Sequence, residues 1–453
     1  MFRKKPMLAS LLMVCLLFLA ACTRKTEKLP PLEGDVVELA SEFLVLLAAG
    51  DYTAAVAYFD AKMQKELPAA TLQEAWEAVQ LQAGPYEGEL AQKTEKLGRF
   101  QAVIVTARFA FSHLDIRLTF DSDRRIAGLY FLPAESTVTA EYQPPTYALP
   151  AKYSEKSVTV GKGEWALPGT LTVPDGEGPF PAVILVHGSG PQDRDETIGP
   201  NKPFKDLALG LAGQGIAVLR YDKRTYVHGA KIASLPAFTV REESIDDALA
   251  AFSLLQAESK VRSDRIFLLG HSLGGTLAPR IGAENQNLAG LIILAGAVRP
   301  LEELILEQSR YLAEADGKVT EAEATWLELL AQSIERIRDL KLTADAPAAD
   351  LLNIPASYWL DLRGYNPASL AKDLQLPMLI LQGERDYQVT MADFALWQEY
   401  LAGRDNVTFK SYPGPNHLFM AGEGASLPAE YEEPKNVAAE VVNDIARWIK
   451  ARP

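Results

Sequence analysis

Cysteine is nearly absent from this 453-residue chain. Cys15 and Cys22 are the only two. Both lie in the first 22 positions, so nothing downstream can be cross-linked or use a thiol nucleophile. Histidine is also scarce, at positions 113, 187, 228, 271 and 417. These are too scattered for a zinc site, and no H-E-x-x-H, paired C-x-x-C or carboxylate-rich loop suggests another metal. No glycine loop followed by lysine is present to cradle a phosphate, so neither metal nor cofactor is expected. Positive charge is in deficit: 45 Lys and Arg against 59 Asp and Glu give a formal charge of −14. Removing the basic Arg3, Lys4 and Lys5 would make it more negative still. A nucleic-acid partner, which needs Lys and Arg stripes, is excluded. The apolar run Met7–Ala21 is shorter than the roughly 20 residues of a membrane span. There is no internal repeat and no low-complexity tract.

Hydrophobic residues make up 48% of the chain, enough for two well-packed domains. The most informative stretch is Gly270-His271-Ser272-Leu273-Gly274. It follows an apolar run, 265–269, that predicts a buried strand, and precedes a helix start at 275–281. A serine at a tight strand-to-helix turn is lifted out of the sheet with Oγ exposed. Small residues at 270 and 274 permit the turn. The helix N-terminus behind it favours developing negative charge. This is the placement of a nucleophile for acyl transfer.

The partners of such a serine follow it in the order acid, then histidine. The strand 376–383 ends in Glu384-Arg385-Asp386, and a later loop carries Pro413-Gly414-Pro415-Asn416-His417. Of the five histidines, only His417 lies in a loop beyond the last strand and downstream of a candidate acid. It is the expected base, taking the Ser272 proton and returning it to the leaving group. Asp386 is the preferred acid because it lies further beyond the strand end; Glu384 is its rival. The oxyanion hole needs two pre-aimed N–H groups. One is expected from Leu273 and the other from Ser189, in the His187-Gly188-Ser189-Gly190 turn after strand 180–186, with Gly190 as the alternative.

With these motifs, and with Pro168–Pro174, His187–Glu196 (HGSGPQDRDE), Leu219–Arg224 and Leu381–Val389 (LQGERDYQV), residues 153–453 resemble the α/β-hydrolase fold. Within it they resemble bacterial esterases and acyl hydrolases near the dienelactone hydrolases and prolyl-oligopeptidase-like serine hydrolases. The order of elements points the same way. Short apolar strands alternate with amphipathic helices at 203–213, 240–258, 273–283 and 435–450, which implies a mostly parallel sheet covered on both faces. Two helical stretches, 301–315 and 320–340, interrupt the alternation. The segment at about 299–370 is read as a cap over the site, and Tyr358 and Trp359 (with Tyr365) as candidates for its substrate-facing wall or for core packing. Arg194 and Arg224, in charged turns, are either carboxylate-binding groups or parts of an ion-pair network bracing the loops, the second being favoured.

The N-terminal third carries different signals. Residues 1–21 read as a signal peptide. Leu19-Ala20-Ala21-Cys22 resembles the bacterial lipobox, which implies a lipid on Cys22, an extracytoplasmic place in the cell envelope and a membrane anchor. Residues 22–34 read as a polar tether and 136–152 as a proline-bearing linker. Between them, 35–135 reads helices first and antiparallel strands after, a small α+β domain that resembles the NTF2-like accessory domains preceding some bacterial hydrolases. The expected protein is a serine hydrolase cleaving small to medium acyl esters. A peptidase of prolyl-oligopeptidase type is disfavoured because no propeller-sized domain is present. A non-catalytic binding lipoprotein is disfavoured because the full residue set is intact. Oligomeric state is left open.

Overall fold

The computed structural model describes residues 29–110, 113–134, 141–235 and 237–452. The proposed signal peptide and Cys22 lie outside them. The first domain comprises α1 (Val36–Ala48), α2 (Tyr52–Val56), α3 (Ala61–Glu66) and α4 (Ala69–Ala83). A four-stranded antiparallel meander follows: β1 (Tyr86–Leu97), β2 (Phe100–Phe109), β3 (His113–Phe120) and β4 (Ile126–Pro133). Asp35, Asp51 and Asp60 cap the first three helices, each side chain accepting a backbone N–H of the first turn. Phe43, Leu44, Leu47 and Trp76 of the helices pack on Val103, Val105, Ile116 and Leu118 of the sheet. Strand β1 was not anticipated. It is charged, lies at the sheet edge and is exposed along almost its whole length. With neither face buried there is no alternation to read, and its lysines suit an unpaired edge.

The flanking segments are fastened down. Arg125 Nε donates to Pro30 O (2.8 Å) and the Leu32 N–H to Asp123 O (3.0 Å), so the end of the segment read as a tether is docked on the small domain. In the expected linker, Tyr142 OH donates to Asp206 Oδ1 (2.8 Å) and Tyr147 OH to Val437 O (2.7 Å).

The second domain is built on an eight-stranded sheet. Its strands in chain order are β5 (Tyr153–Val160), β6 (Leu167–Pro174), β7 (Phe180–Val186), β8 (Ala217–Tyr221), β9 (Val261–His271), β10 (Gly290–Leu294), β11 (Met378–Gly383) and β12 (Val407–Tyr412). Their spatial order is β12-β11-β10-β9-β7-β8-β6-β5. From β8 to β12 all neighbours are parallel; β6 and β5 add antiparallel pairs at one end. This is the α/β-hydrolase architecture expected from the sequence. The inner parallel strands β7, β10 and β11 are apolar along nearly their whole length because both faces are covered. Val183 and Leu185 of β7 pack toward α5 (Pro203–Ala212) and, at the C-terminus, the helix Ala439–Lys450. Ala182, Ile184 and Val186 pack on the opposite side. There lie two short helices, α6 (Arg224–Val227) and α7 (Gly229–Ile232), then α8 (Asp246–Gln256) and α9 (Leu273–Glu284).

Between β10 and β11 the chain inserts α10 (Leu301–Ala313), α11 (Glu321–Arg338), α12 (Ala356–Leu362) and α13 (Pro367–Asp373). Thr320 and Glu323 form a reciprocal capping box at the start of α11. Trp326, Leu330, Ile334, Ile337, Leu351 and Trp359 give the insertion a core of its own. The Trp326 indole donates to Gln80 O of α4 at 2.8 Å, which joins the insertion to the small domain. On its other side Tyr311 stacks on Tyr387 (5.0 Å, 6°), Gln308 Nε2 donates to Gln388 O (2.8 Å) and Tyr311 OH to Ser426 O (3.0 Å). The insertion therefore rests on the loop that follows β11. Two further helices complete the chain, α14 (Met391–Tyr400) and α15 (Ala439–Lys450).

Candidate active site

Ser272 links β9 to α9 with φ +52° and ψ −119°, a strained conformation that only its surroundings can impose. The two glycines around it are needed for space. A Cβ at Gly270 would lie 2.1 Å from Gly274 O, and one at Gly274 would lie 2.2 Å from Val186 O. Main chain stands in the way in both cases, so no rotamer change relieves it. Ser272 is half-buried, and its hydroxyl makes no hydrogen bond to a described residue. The Leu273 N–H opens helix α9, where no intrahelical acceptor exists.

The loop after β7 lies against this serine. A Cβ on Gly188 would stand 3.2 Å from Ser272 Cβ and 3.6 Å from Oγ. Gly188 N–H is taken by Glu196 Oε1 at 2.7 Å, which leaves Ser189 N–H as the next donor along the loop.

Asp386 and His417 come from the loops after β11 and β12. His417 Nδ1 lies 2.7 Å from Asp386 Oδ2, with both residues buried. A carboxylate only accepts, so Nδ1 carries a proton and points it at Asp386. Asp386 Oδ1 accepts the N–H groups of Gln388 (2.8 Å) and Val389 (3.0 Å), and Gln382 Nε2 donates to Oδ2 (3.1 Å). Asn416 Oδ1 ties the His417 loop by accepting from the N–H groups of Leu418 (3.1 Å) and Met420 (3.2 Å). The rival acid, Glu384, is exposed and accepts from Ser411 Oγ instead (2.7 Å).

The residue before Ser272 reaches the His417 loop. His271 Nε2 lies 2.9 Å from His417 O, and the two rings are 4.7 Å apart. A carbonyl can only accept, so Nε2 bears a proton. Nδ1 faces Glu196 Oε2 at 3.0 Å, off the hydrogen-bond axis but in ion-pair contact. Burial opposes a charge on His271, but the Glu196 carboxylate and the His417 carbonyl outweigh it and raise its pKa. Burial opposes the Glu196 charge likewise, and His271 brings its pKa below the usual carboxylate range. Glu196, itself at φ +52°, thus holds the Gly188 turn with one oxygen and the strand end carrying Ser272 with the other. Glu196 and His271 stand inside the HGSGPQDRDE and GHSLG motifs, but nothing in their spacing, 75 positions apart, predicts the pairing.

A family described as "Serine aminopeptidase, S33" matches residues 179–423. The esterase EstD of Thermotoga maritima is 38% identical over 407 residues, 90% of this chain and 93% of its own. The chain belongs to the S33 serine hydrolase family. A second family, described as a protein of unknown function (DUF3887), matches residues 40–129 of this S33 chain, within its NTF2-like α+β domain. Among solved structures, Est1E from Butyrivibrio proteoclasticus is 18% identical and covers 65% of this chain and 99% of its own at a TM-score of 0.43. An esterase domain from Rhodothermus marinus is 17% identical, with 65% and 97% covered at a TM-score of 0.39.

One expectation is corrected. Tyr358 and Trp359 do not form an open substrate wall. Both are buried, with Tyr358 OH donating to Glu243 Oε2 (2.6 Å) and Trp359 Nε1 to Leu351 O (3.0 Å). Their polar atoms are engaged by protein, and their rings fill the seam between the insertion and the sheet domain. Neither arginine is free for a substrate carboxylate. Arg194 forms a two-pronged pair with Asp222 (2.9 and 2.7 Å) and Arg224 pairs with Asp247, the bracing role favoured from sequence. Gly190, at φ +80°, stays beside the turn, with its carbonyl accepting from Thr225 Oγ1 (3.3 Å).

Proposed function

We propose that this S33-family chain hydrolyses carboxylic esters of small to medium acyl groups through a covalent acyl-enzyme. The observation that carries the reading is the buried 2.7 Å bond from His417 Nδ1 to Asp386, which supports Nε2 as the base for Ser272. Ser272 Oγ attacks the ester carbonyl as His417 takes its proton. The N–H groups of Leu273 and Ser189 receive the oxyanion, and Asp386 stabilises the imidazolium. The imidazolium then protonates the departing alcohol. Water, deprotonated by His417, releases the acid in the mirror-image step. The likeness to EstD over nearly the whole of both chains supports an ester over an amide substrate.

The test uses residues 23–453 and a fluorophosphonate probe. Labelling at Ser272, lost in Ser272→Ala together with p-nitrophenyl ester turnover, is the expected result. An unlabelled Ser272 leaves only a binding role, and faster cleavage of aminoacyl-amides than of esters replaces the esterase reading by the peptidase one. The lipobox-like segment supports a lipid on Cys22 and an extracytoplasmic, membrane-anchored enzyme in a bacterial envelope. Cys22→Ala is expected to move the protein from the membrane fraction to the soluble one.

A further inference from the structure

A buried charge chain runs from the inserted helices to the turn beside Ser272, and the ester-hydrolysis mechanism above does not use it. Lys223, just beyond the end of β8, is 2% exposed. Its Nζ donates to Gly188 O at 2.6 Å and to Glu243 Oε1 at 2.5 Å. Glu243, 4% exposed, lies in the π-helical turn Arg241–Ile245 that leads into α8. Its other oxygen accepts from Tyr358 OH of α12 at 2.6 Å, and Tyr358 is stacked on Phe238 (5.9 Å, 23°). Burying an ammonium is costly unless it is paired and hydrogen-bonded, and here its partners include a main-chain carbonyl in the active-site turn.

We infer that Lys223 is a positioning residue for the oxyanion hole, held in place by Glu243 and Tyr358. The inference rests on the reading of Ser189 N–H as an oxyanion donor. The peptide joining Gly188 to Ser189 is planar and trans, so its C=O and N–H point in opposite directions. Fixing the carbonyl oxygen on the Lys223 side therefore fixes the direction of the Ser189 N–H on the other. The preceding N–H, of Gly188, is already held by Glu196. Gly188 is thus held by buried charged groups through the N–H of one peptide and the C=O of the next, which keeps the Gly188–Ser189 peptide from turning its carbonyl to the reacting centre. An ammonium on the carbonyl oxygen also polarises the amide, which strengthens the opposite N–H as a donor. Tyr358, read from sequence as either a pocket wall or a packed core residue, acts at the far end of this chain. Packing of the inserted helices is thereby coupled to the geometry of the turn.

The test compares Lys223→Met/Glu243→Gln, which removes both charges at similar volume, with the parent. A p-nitrophenyl ester gives kcat and KM, and a trifluoromethyl ketone, whose adduct carries an oxyanion, gives a Ki. The expected result is a fall in kcat of about 10- to 100-fold, less than or comparable to deletion of one oxyanion donor, with KM within about threefold and Ki weakened by the same factor as kcat. Tyr358→Phe, which removes one oxygen, is expected to show the same pattern at about two- to fivefold, and it keeps the inference testable if the double variant does not fold. A folded double variant, or failing that a folded Tyr358→Phe, with kcat and Ki within the error of the parent values overturns the inference. So does an effect confined to a rise in KM. Loss of ester turnover from the parent itself overturns the esterase reading instead, and turnover that survives Ser272→Ala overturns the Ser272 acyl-enzyme, so the failures are distinguishable.

Discussion

Asp386→Asn is the sharpest test of how His417 is poised. Asp386 Oδ1 accepts two main-chain N–H groups, of Gln388 and Val389, so an asparagine must keep its oxygen there and place its NH2 where Oδ2 stood. That NH2 then faces two donors, Gln382 Nε2 and His417 Nδ1. Gln382 cannot turn away, because the same nitrogen donates to Gly383 O (3.1 Å) and Val389 O (2.8 Å). His417 has to yield by moving its proton to Nε2, the nitrogen that must accept the Ser272 proton. The wrong tautomer costs on the order of 10³- to 10⁴-fold in kcat, about 4–5 kcal/mol of barrier. KM should stay within about threefold, since ground-state binding is untouched. Steady-state hydrolysis of a p-nitrophenyl ester and the rate of fluorophosphonate labelling should fall together, with the circular dichroism spectrum unchanged. Glu384→Gln serves as the control and should leave kcat within about twofold, a surface change that alters one exposed hydrogen bond. A folded Asp386→Asn enzyme retaining a tenth of parental kcat would refute the reasoning, as would a large loss in Glu384→Gln.

Gly274→Ala should remove at least about 3 kcal/mol of stability, because its Cβ meets two main-chain oxygens (Val186 O at 2.2 Å, His187 O at 2.7 Å) that cannot retreat without breaking the β7 register; a melting temperature equal to the parent's would contradict this. His187, buried against Phe204 and Tyr221 with Nε2 donating to Asp193 O (3.0 Å), is pushed by burial down to about 4 from 6.5. The native state therefore binds fewer protons there than the unfolded chain between these values, so the His187 contribution to stability rises with pH across that window, by about 3 kcal/mol in all. Burial raises Asp206 and Asp247 to about 6; their native forms bind more protons than the unfolded chain from about 4 to about 6, and their contributions fall as pH rises there. The comparison must therefore be parent against His187→Gln: the variant's melting temperature should lose less than the parent's as pH is lowered from 6.5 to 4, and parallel curves would sink the claim.

Local rules reach only so far along this chain. The turn around Ser272 was readable because its requirements are local: a strand, two glycines with no room for a side chain, and a helix. The inner strands of the large domain, β7, β10 and β11 among them, were readable because burial on both faces makes them continuous apolar runs. Strand β1 was not, since an edge exposed on both sides leaves no pattern. The short helices α3, α12 and α13 were missed for a related reason: α3 buries no residue and the other two span seven positions each, too few turns for a period to emerge. Tyr358 and Trp359 drew attention as an aromatic pair, but composition cannot tell a pocket wall from a packed seam.

Sequence alone determined the fold class of both domains and the candidate reacting residues, because each depends on local geometry and on the chain order of strand ends in a parallel sheet. Only the tertiary structure decided what holds those residues still. Glu196 with His271, and Lys223 with Glu243 and Tyr358, are joined across 20 to 115 positions. The physical reason is that a buried charge takes its partner from whatever the fold brings within about 3 Å, and that proximity is written in no stretch of sequence shorter than the domain.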